Sequence, residues 1–200
     1  MDCFRPVNRV ILFEPRALVH KGICLFLRDQ QCEIVHCWSL EQLSAALYDR
    51  TDARKILLAG IGGLGNMLPG FIRTLHYPRA MLLTSFVYLS SRDALLAKML
   101  LGAGADVCLD EAELESALLA QLAAPVTAQR RDERLTASEL NILLDYACGM
   151  QAREIAAHRK CSYKTVFTFK RNARLRLNIE NGFGWRRLML HLSLLISRYE

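Results

Sequence analysis

The sequence predicts a chain in two parts, an α/β unit on a doubly wound parallel sheet and then a smaller all-α unit. Three observations predict this. Short apolar runs alternate with helical patterns five times before residue 124. Charge is divided unevenly: residues 1–126 hold 12 Lys/Arg against 13 Asp/Glu, net −1, whereas residues 127–200 hold 14 against 7, net +7. Finally, Glu154 to Leu177 reads as a short helix, a three-residue turn and a longer helix, with 8 basic residues between Arg153 and Arg176 against Glu154 alone.

The strands come first. Val10–Phe13, Glu33–Trp38, Lys55–Ala59, Met81–Thr84 and Val107–Leu109 are apolar runs with little inside–outside alternation, which marks parallel strands buried on both faces. Helices fit between them, at Ala17–Leu27, Ser39–Leu47, Met67–Leu75, Ser91–Leu101 and Glu111–Leu122. Ser39 with Gln42 forms a capping box. Right-handed crossovers then give a flavodoxin-like strand order. Residues 1–124 are assigned to this unit. The stretch APVTAQRRDER lacks periodicity, so residues 125–134 are read as a linker in which Arg130 and Arg131 are either phosphate contacts or solvated.

The all-α unit, residues 135–200, opens on a second capping box, Thr136 to Glu139. Its first helix carries Leu140, Leu143, Leu144 and Ala147, and Gly149 ends it as the C′ residue. Ile155 and Ala156 face inward from the next helix. Arg159, Lys160 and Cys161 make the turn, and Ser162 caps the longer helix. There Val166, Phe169, Lys170, Ala173 and Leu177 trace one face, with Lys170 snorkelling from its edge. Lys164, Thr165, Phe167, Thr168, Arg171 and Arg174 occupy the other. This is a helix-turn-helix with a basic reading helix, sized for the DNA major groove. A last helix, Phe183 to Ser197, is apolar around most of its circumference.

Several function classes are set aside. Seven cysteines show no C-x-x-C pair and five histidines no ligand spacing, so no metal site and no disulfide framework is expected. No run has the length of a membrane span, and the first ten residues lack a signal-peptide core, so the expectation is a cytoplasmic protein. Gly60-Ile61-Gly62-Gly63-Leu64-Gly65 satisfies G-x-G-x-x-G after a strand, but Pro69 and Gly70 interrupt the following helix and no acidic residue closes the next strand. It is read as a flexible loop. No cofactor and no catalytic residue is expected.

The layout of the first unit, with a basic domain downstream, resembles bacterial response regulators. The resemblance implies a receiver site made of an acidic pair after strand one, a phospho-accepting Asp after strand three, Thr or Ser after strand four and Lys after strand five. The matching positions are Glu14-Pro15, Ala59, Thr84 and Glu111, so the acceptor, one carboxylate and the lysine are missing. An acyl phosphate needs a carboxylate nucleophile, and Mg²⁺ needs several oxygen ligands. Asp52 precedes strand three, at the wrong edge of the sheet. The unit is therefore expected to act without phosphorylation.

The spacing of Leu135-Thr136, Glu139, Gly149, Glu154-Ile155-Ala156, Ser162, Thr165-Val166, Leu177 and Asn181 resembles the four-helix LuxR/NarL-type DNA-binding domain. Lys164 to Glu180-Asn181 resembles the RcsB-like and BglJ-like members. Ser138 and Phe169 depart from a common arginine and a common histidine, and Phe167 from an often polar position. On this reading Lys164, Thr165 and Arg174 contact phosphates. Phe167, Thr168 and Arg171 enter the groove, Lys170 serves either group, and Phe167 has core packing or a partner contact as its alternative. Trp185, Leu188, Leu192 and Leu195 are expected to pair two copies of the last helix. The expected function is a transcription regulator binding double-stranded DNA as a homodimer or as a heterodimer with a LuxR-type regulator. The alternative is an adaptor whose partner supplies most of the DNA affinity.

Overall fold

The computed structural model describes residues 8–49, 53–76, 83–90, 93–123 and 134–197. Of the expected linker, residues 125–134, all but the last lie outside them, as do Met81, Ser91, Asp52, Arg130 and Arg131. Five strands, β1 (Asn8–Phe13), β2 (Cys32–His36), β3 (Arg54–Gly60), β4 (Leu83–Leu89) and β5 (Val107–Asp110), form one sheet. All its pairings are parallel, in the order β2-β1-β3-β4-β5. This is the flavodoxin-like order that the alternation predicts.

Side chains alternate across a strand. Val10, Leu12, Ile56, Leu58, Phe86 and Tyr88 share one face and pack with Ile23 and Leu27 of α1 (Ala17–Leu27) and Leu114 and Leu118 of α5 (Leu114–Ala123). Ile11, Leu57 and Val87, on the other face, are equally buried. Burial on both faces is why the strands read as unbroken apolar runs. In α2 (Leu40–Tyr48), Ser39 Oγ accepts from the Gln42 N–H at 3.2 Å and the Gln42 side chain accepts from the Trp38 N–H at 2.7 Å.

Several element boundaries differ from the sequence reading, most of them by one to three residues and β4 by more. Thr84 does not end β4; it is its second residue, opposite Ile56, and the strand runs five residues further to Leu89. Thr84-Ser85 reads as a break because both residues are polar, yet Phe86–Leu89 continue the buried run. Helix α3 (Leu68–His76) follows a 3-10 turn at Gly65–Met67 and places Pro69 in its first turn, where the missing N–H costs nothing. Helix α4 (Ala94–Ala103) is capped by Asp93, which accepts from the Leu95 and Leu96 N–H groups.

Four further helices are α6 (Ala137–Ala147), α7 (Ala152–His158), α8 (Tyr163–Arg176) and α9 (Gly182–Ser197). The chain divides into two compact units. One holds Met1–Leu64, Tyr77–Arg92 and Ala105–Gln129; the other gathers Gly65–His76 and Asp93–Gly104 with Arg130–Glu200. In the second, Thr136 and Glu139 cap α6 reciprocally, and Gly149 adopts φ +85° after its last turn. Leu140, Leu143, Leu144, Ala147, Ile155, Val166, Ala173 and Leu177 form its core. Among the described residues, no helix is long and apolar enough to cross a membrane.

Candidate nucleic-acid interface

The reading helix α8 starts where its sequence says it should. Ser162 is extended at φ −75°, ψ 151°, and its Oγ accepts from the Thr165 N–H at 3.0 Å. The turn before it is held from two sides. Lys160 takes the left-handed conformation at φ 51°. Arg159 clamps the carboxylate of Asp145 on α6, donating from Nε at 2.7 Å and from a terminal nitrogen at 2.8 Å. That fork fixes the turn to the core, because Asp145 is buried and losing Arg159 would leave its carboxylate unpaired. Farther along, Arg176 pairs with the buried Glu139 at 3.0 Å and ties the end of α8 to the start of α6.

The two faces of α8 separate cleanly. Val166 and Ala173 have no exposed surface, whereas Lys164, Phe167, Thr168 and Arg171 are exposed. The arrangement presents a flexible ammonium, a guanidinium fork and an aromatic ring along one side of a rigid helix. Such a face suits phosphate oxygens and the base edges of a major groove.

A second constellation lies at the carboxyl end of the sheet, in the other unit. Glu14 has no exposed surface. Arg16 donates to it from its backbone N–H at 2.8 Å, from Nε at 2.9 Å and from a terminal nitrogen at 2.8 Å. The Tyr88 hydroxyl donates at 2.5 Å to Glu14 Oε2, the oxygen that also accepts from the terminal nitrogen of Arg16. Arg16 also pairs with Glu111 at 2.6 Å. The hydrogen bond to Glu14 holds the Arg16 guanidinium firmly charged, and burial beside the Glu14 carboxylate pushes the Tyr88 phenol far up. A Cβ on Gly60 would lie 2.0 Å from the Glu14 carboxylate and 2.8 Å from the Tyr88 ring.

These distances correct the assignment of the receiver-like positions. Gly60, not Ala59, is the β3 residue directed at Glu14, and it pairs with Tyr88 in the sheet. Thr84 sits at the opposite end of β4, and the residue that follows the strand is the exposed Ser90, with Tyr88 two positions before it inside the strand. Glu14 and Glu111 are where the sequence puts them, bridged by Arg16. The G-x-G-x-x-G stretch also gains a physical reason that replaces loop flexibility. Gly60 closes on Glu14, and a Cβ on Gly63 would lie 2.9 Å from both Pro15 and Arg16.

The family model described as "Bacterial regulatory proteins, luxR family" matches residues 133–184. Residues 133–184 are a LuxR-family domain. The whole chain is similar in fold to the response regulator RcsB. In an RcsB–DNA complex the TM-score is 0.54 at 20% identity, covering 92% of this chain and 99% of that one. For RcsB from Salmonella enterica serovar Typhimurium bound to promoter rprA, the TM-score is 0.52 at 21% identity, covering 93% and 99%. For two RcsB dimers bound to two parallel DNAs it is 0.51 at 20% identity, covering 92% and 99%. No curated protein matches in sequence.

Within the LuxR-family domain, not all the expected residues face outward. Lys170 lies over the rings of Tyr146 and Trp185, at 4.8 and 5.4 Å from their centroids, with Phe167 at 6.0 Å. Burial and then Arg174 lower its pKa, and its ammonium braces these rings as a cation–π contact within its own unit. Arg174 donates to the Glu180 carbonyl at 2.9 Å, which fastens the loop after α8. The Thr165 hydroxyl sits 2.8 Å from Ser162 Oγ, and the Thr168 hydroxyl donates back to the Lys164 carbonyl at 3.0 Å.

The expected pairing face of α9 is mostly enclosed. Trp185, Leu188 and Leu192 are buried within their own unit, with Leu195 at their edge, and Trp185 meets Tyr146 edge-on. Trp185, Leu188 and Leu192 are core residues with almost no surface left for a second copy, whereas Leu195 stays partly exposed. The exposed apolar residues of α9 are Phe183, Leu190 and Leu194, at 68, 58 and 54%. Tyr163 was missed altogether: it is half exposed and packs edge-on against Phe167 at 4.6 Å. Its spacing of four residues from Phe167 was the available signal.

Proposed function

We propose that this chain is a cytoplasmic transcription regulator that binds double-stranded DNA through α8 and works without phosphorylation of its receiver-like unit. The observation that carries the reading is the division of α8: Val166 and Ala173 fully enclosed, Lys164, Phe167, Thr168 and Arg171 open. Lys164 and the helix start contact phosphates, Arg171 pairs with guanine O6/N7, and Phe167, braced by Tyr163, presses on a thymine methyl. The excess of basic residues after position 127 supplies the long-range attraction.

Independence from phosphorylation is supported by chemistry at the end of the sheet. Gly60 offers no nucleophile, and the one buried carboxylate, Glu14, is saturated by Arg16 and Tyr88. The regulator acts as a dimer, with itself or with a related LuxR-type chain, through the outward side of α9 at Leu190 and Leu194. RcsB dimers bound to DNA share the fold. Residues 1–124 form the receiver-like part and 135–200 the DNA-binding part. The test is selection of genomic fragments by the purified chain, followed by titration with wild type and Arg171→Ala. Tight binding by wild type alone supports direct reading, whereas binding only after a partner regulator is added supports the adaptor.

A further inference from the structure

His20 and Cys24 stand one turn apart on α1, and His36 ends the neighbouring strand β2. Their ligand atoms all lie within 4.8 Å of one another. His20 Nε2 and His36 Nδ1 are 2.9 Å apart. Ligand atoms held 2.0–2.3 Å from one tetrahedral zinc ion are about 3.3–3.6 Å apart, so the hydrogen-bonded imidazoles part by about half an ångström to admit an ion and the Cys24 thiol closes in.

The surroundings of His20 are those of a metal ligand. Its Nδ1 lies 3.3 Å from the backbone carbonyl of Glu14, which can only accept, so Nδ1 carries the proton and Nε2 presents its lone pair. Trp38 stacks on the ring with centroids 4.2 Å apart and fixes its plane. His36 is exposed and gives an ion a way in; on binding, its ring proton moves from Nδ1 to Nε2 through solvent and the Cys24 thiol releases its proton.

We propose that His20, Cys24 and His36 form a three-ligand site for a Zn²⁺-like cation, with the fourth position open to water. The ion joins α1 to β2 next to the corner that carries Glu14 and Arg16. It would give the receiver-like unit a chemical input where Gly60 has removed the phosphate one. The absence of ligand spacing in the sequence hides it, because His36 arrives through sheet pairing and His20–Cys24 alone is only a two-residue pattern.

The test uses the full chain, stripped with chelator and kept reduced, with Co²⁺ as the spectroscopic probe. The expected result is a tetrahedral visible spectrum with a thiolate-to-cobalt charge-transfer band, saturating at one ion per chain and displaced by Zn²⁺. Cys24→Ser should abolish the charge-transfer band, and His36→Gln should weaken binding by about tenfold or more. His36 is exposed, so its variant carries the test if Cys24→Ser does not fold. No saturable binding, a band that survives Cys24→Ser, or an unchanged affinity in His36→Gln would each overturn the site.

Discussion

Arg171 and Lys170 are adjacent, both basic, and do opposite things. Arg171 is exposed with its guanidinium free for a base edge, so Arg171→Ala should weaken operator binding by about 1–3 kcal/mol and relax preference at one base pair. Its melting temperature should stay at the wild-type value. Lys170 braces Tyr146 and Trp185, so Lys170→Ala should lower the melting temperature and cost DNA affinity only through that. Fluorescence anisotropy beside thermal unfolding separates them, and a stable Lys170→Ala with abolished binding would reverse the assignment. At the sheet end, Tyr88→Phe removes one donor from the buried Glu14 carboxylate. Urea unfolding should show a loss of about 1–3 kcal/mol. Incubation with a small phosphodonor should leave the mass of the chain unchanged, since Gly60 has no side chain to modify.

At the scale of the element, the fork from Arg159 to Asp145 decides whether α8 is presented correctly. Asp145→Ala leaves the guanidinium of the turn without its partner. The expected loss is about 2 kcal/mol in stability, with weaker binding to every DNA sequence alike. A change of sequence preference without loss of stability would contradict this.

Elements were legible in the sequence to unequal degrees. The inner face of α8 was readable because Val166, Ala173 and Leu177 recur at helical spacing among polar neighbours. Lys170 was not, since a lysine at the edge of that face snorkels or stacks according to aromatic residues on other helices. The phase of α9 was ambiguous because it is apolar on both sides, and only packing shows that Trp185, Leu188 and Leu192 take the inner one. The strand-end positions slipped by one residue at Ala59 and Gly60, and a one-residue slip turns every side chain to the opposite face. Ligand sets assembled across a sheet, such as His20 with His36, leave no local pattern.

For the whole molecule, a receiver-like unit precedes a LuxR-family domain on one chain. Its dimer should depend on the outward side of α9. Leu190→Glu with Leu194→Glu should leave the fold intact, because both side chains are more than half exposed, yet reduce the dimer fraction in sedimentation and weaken binding to a two-half-site operator far more than to a single half-site. Equal losses on both DNAs would argue against α9 as the pairing element.

The central claim is that the open side of α8 neutralises phosphates and reads bases. It is tested most directly by measuring the affinity of wild type and Lys164→Ala for the selected operator across a series of salt concentrations. The predicted result is a linear fall of log affinity with log salt, about −0.9 per phosphate neutralised, and a slope shallower by about one in Lys164→Ala. A complex insensitive to salt, or the same slope in both proteins, would contradict it.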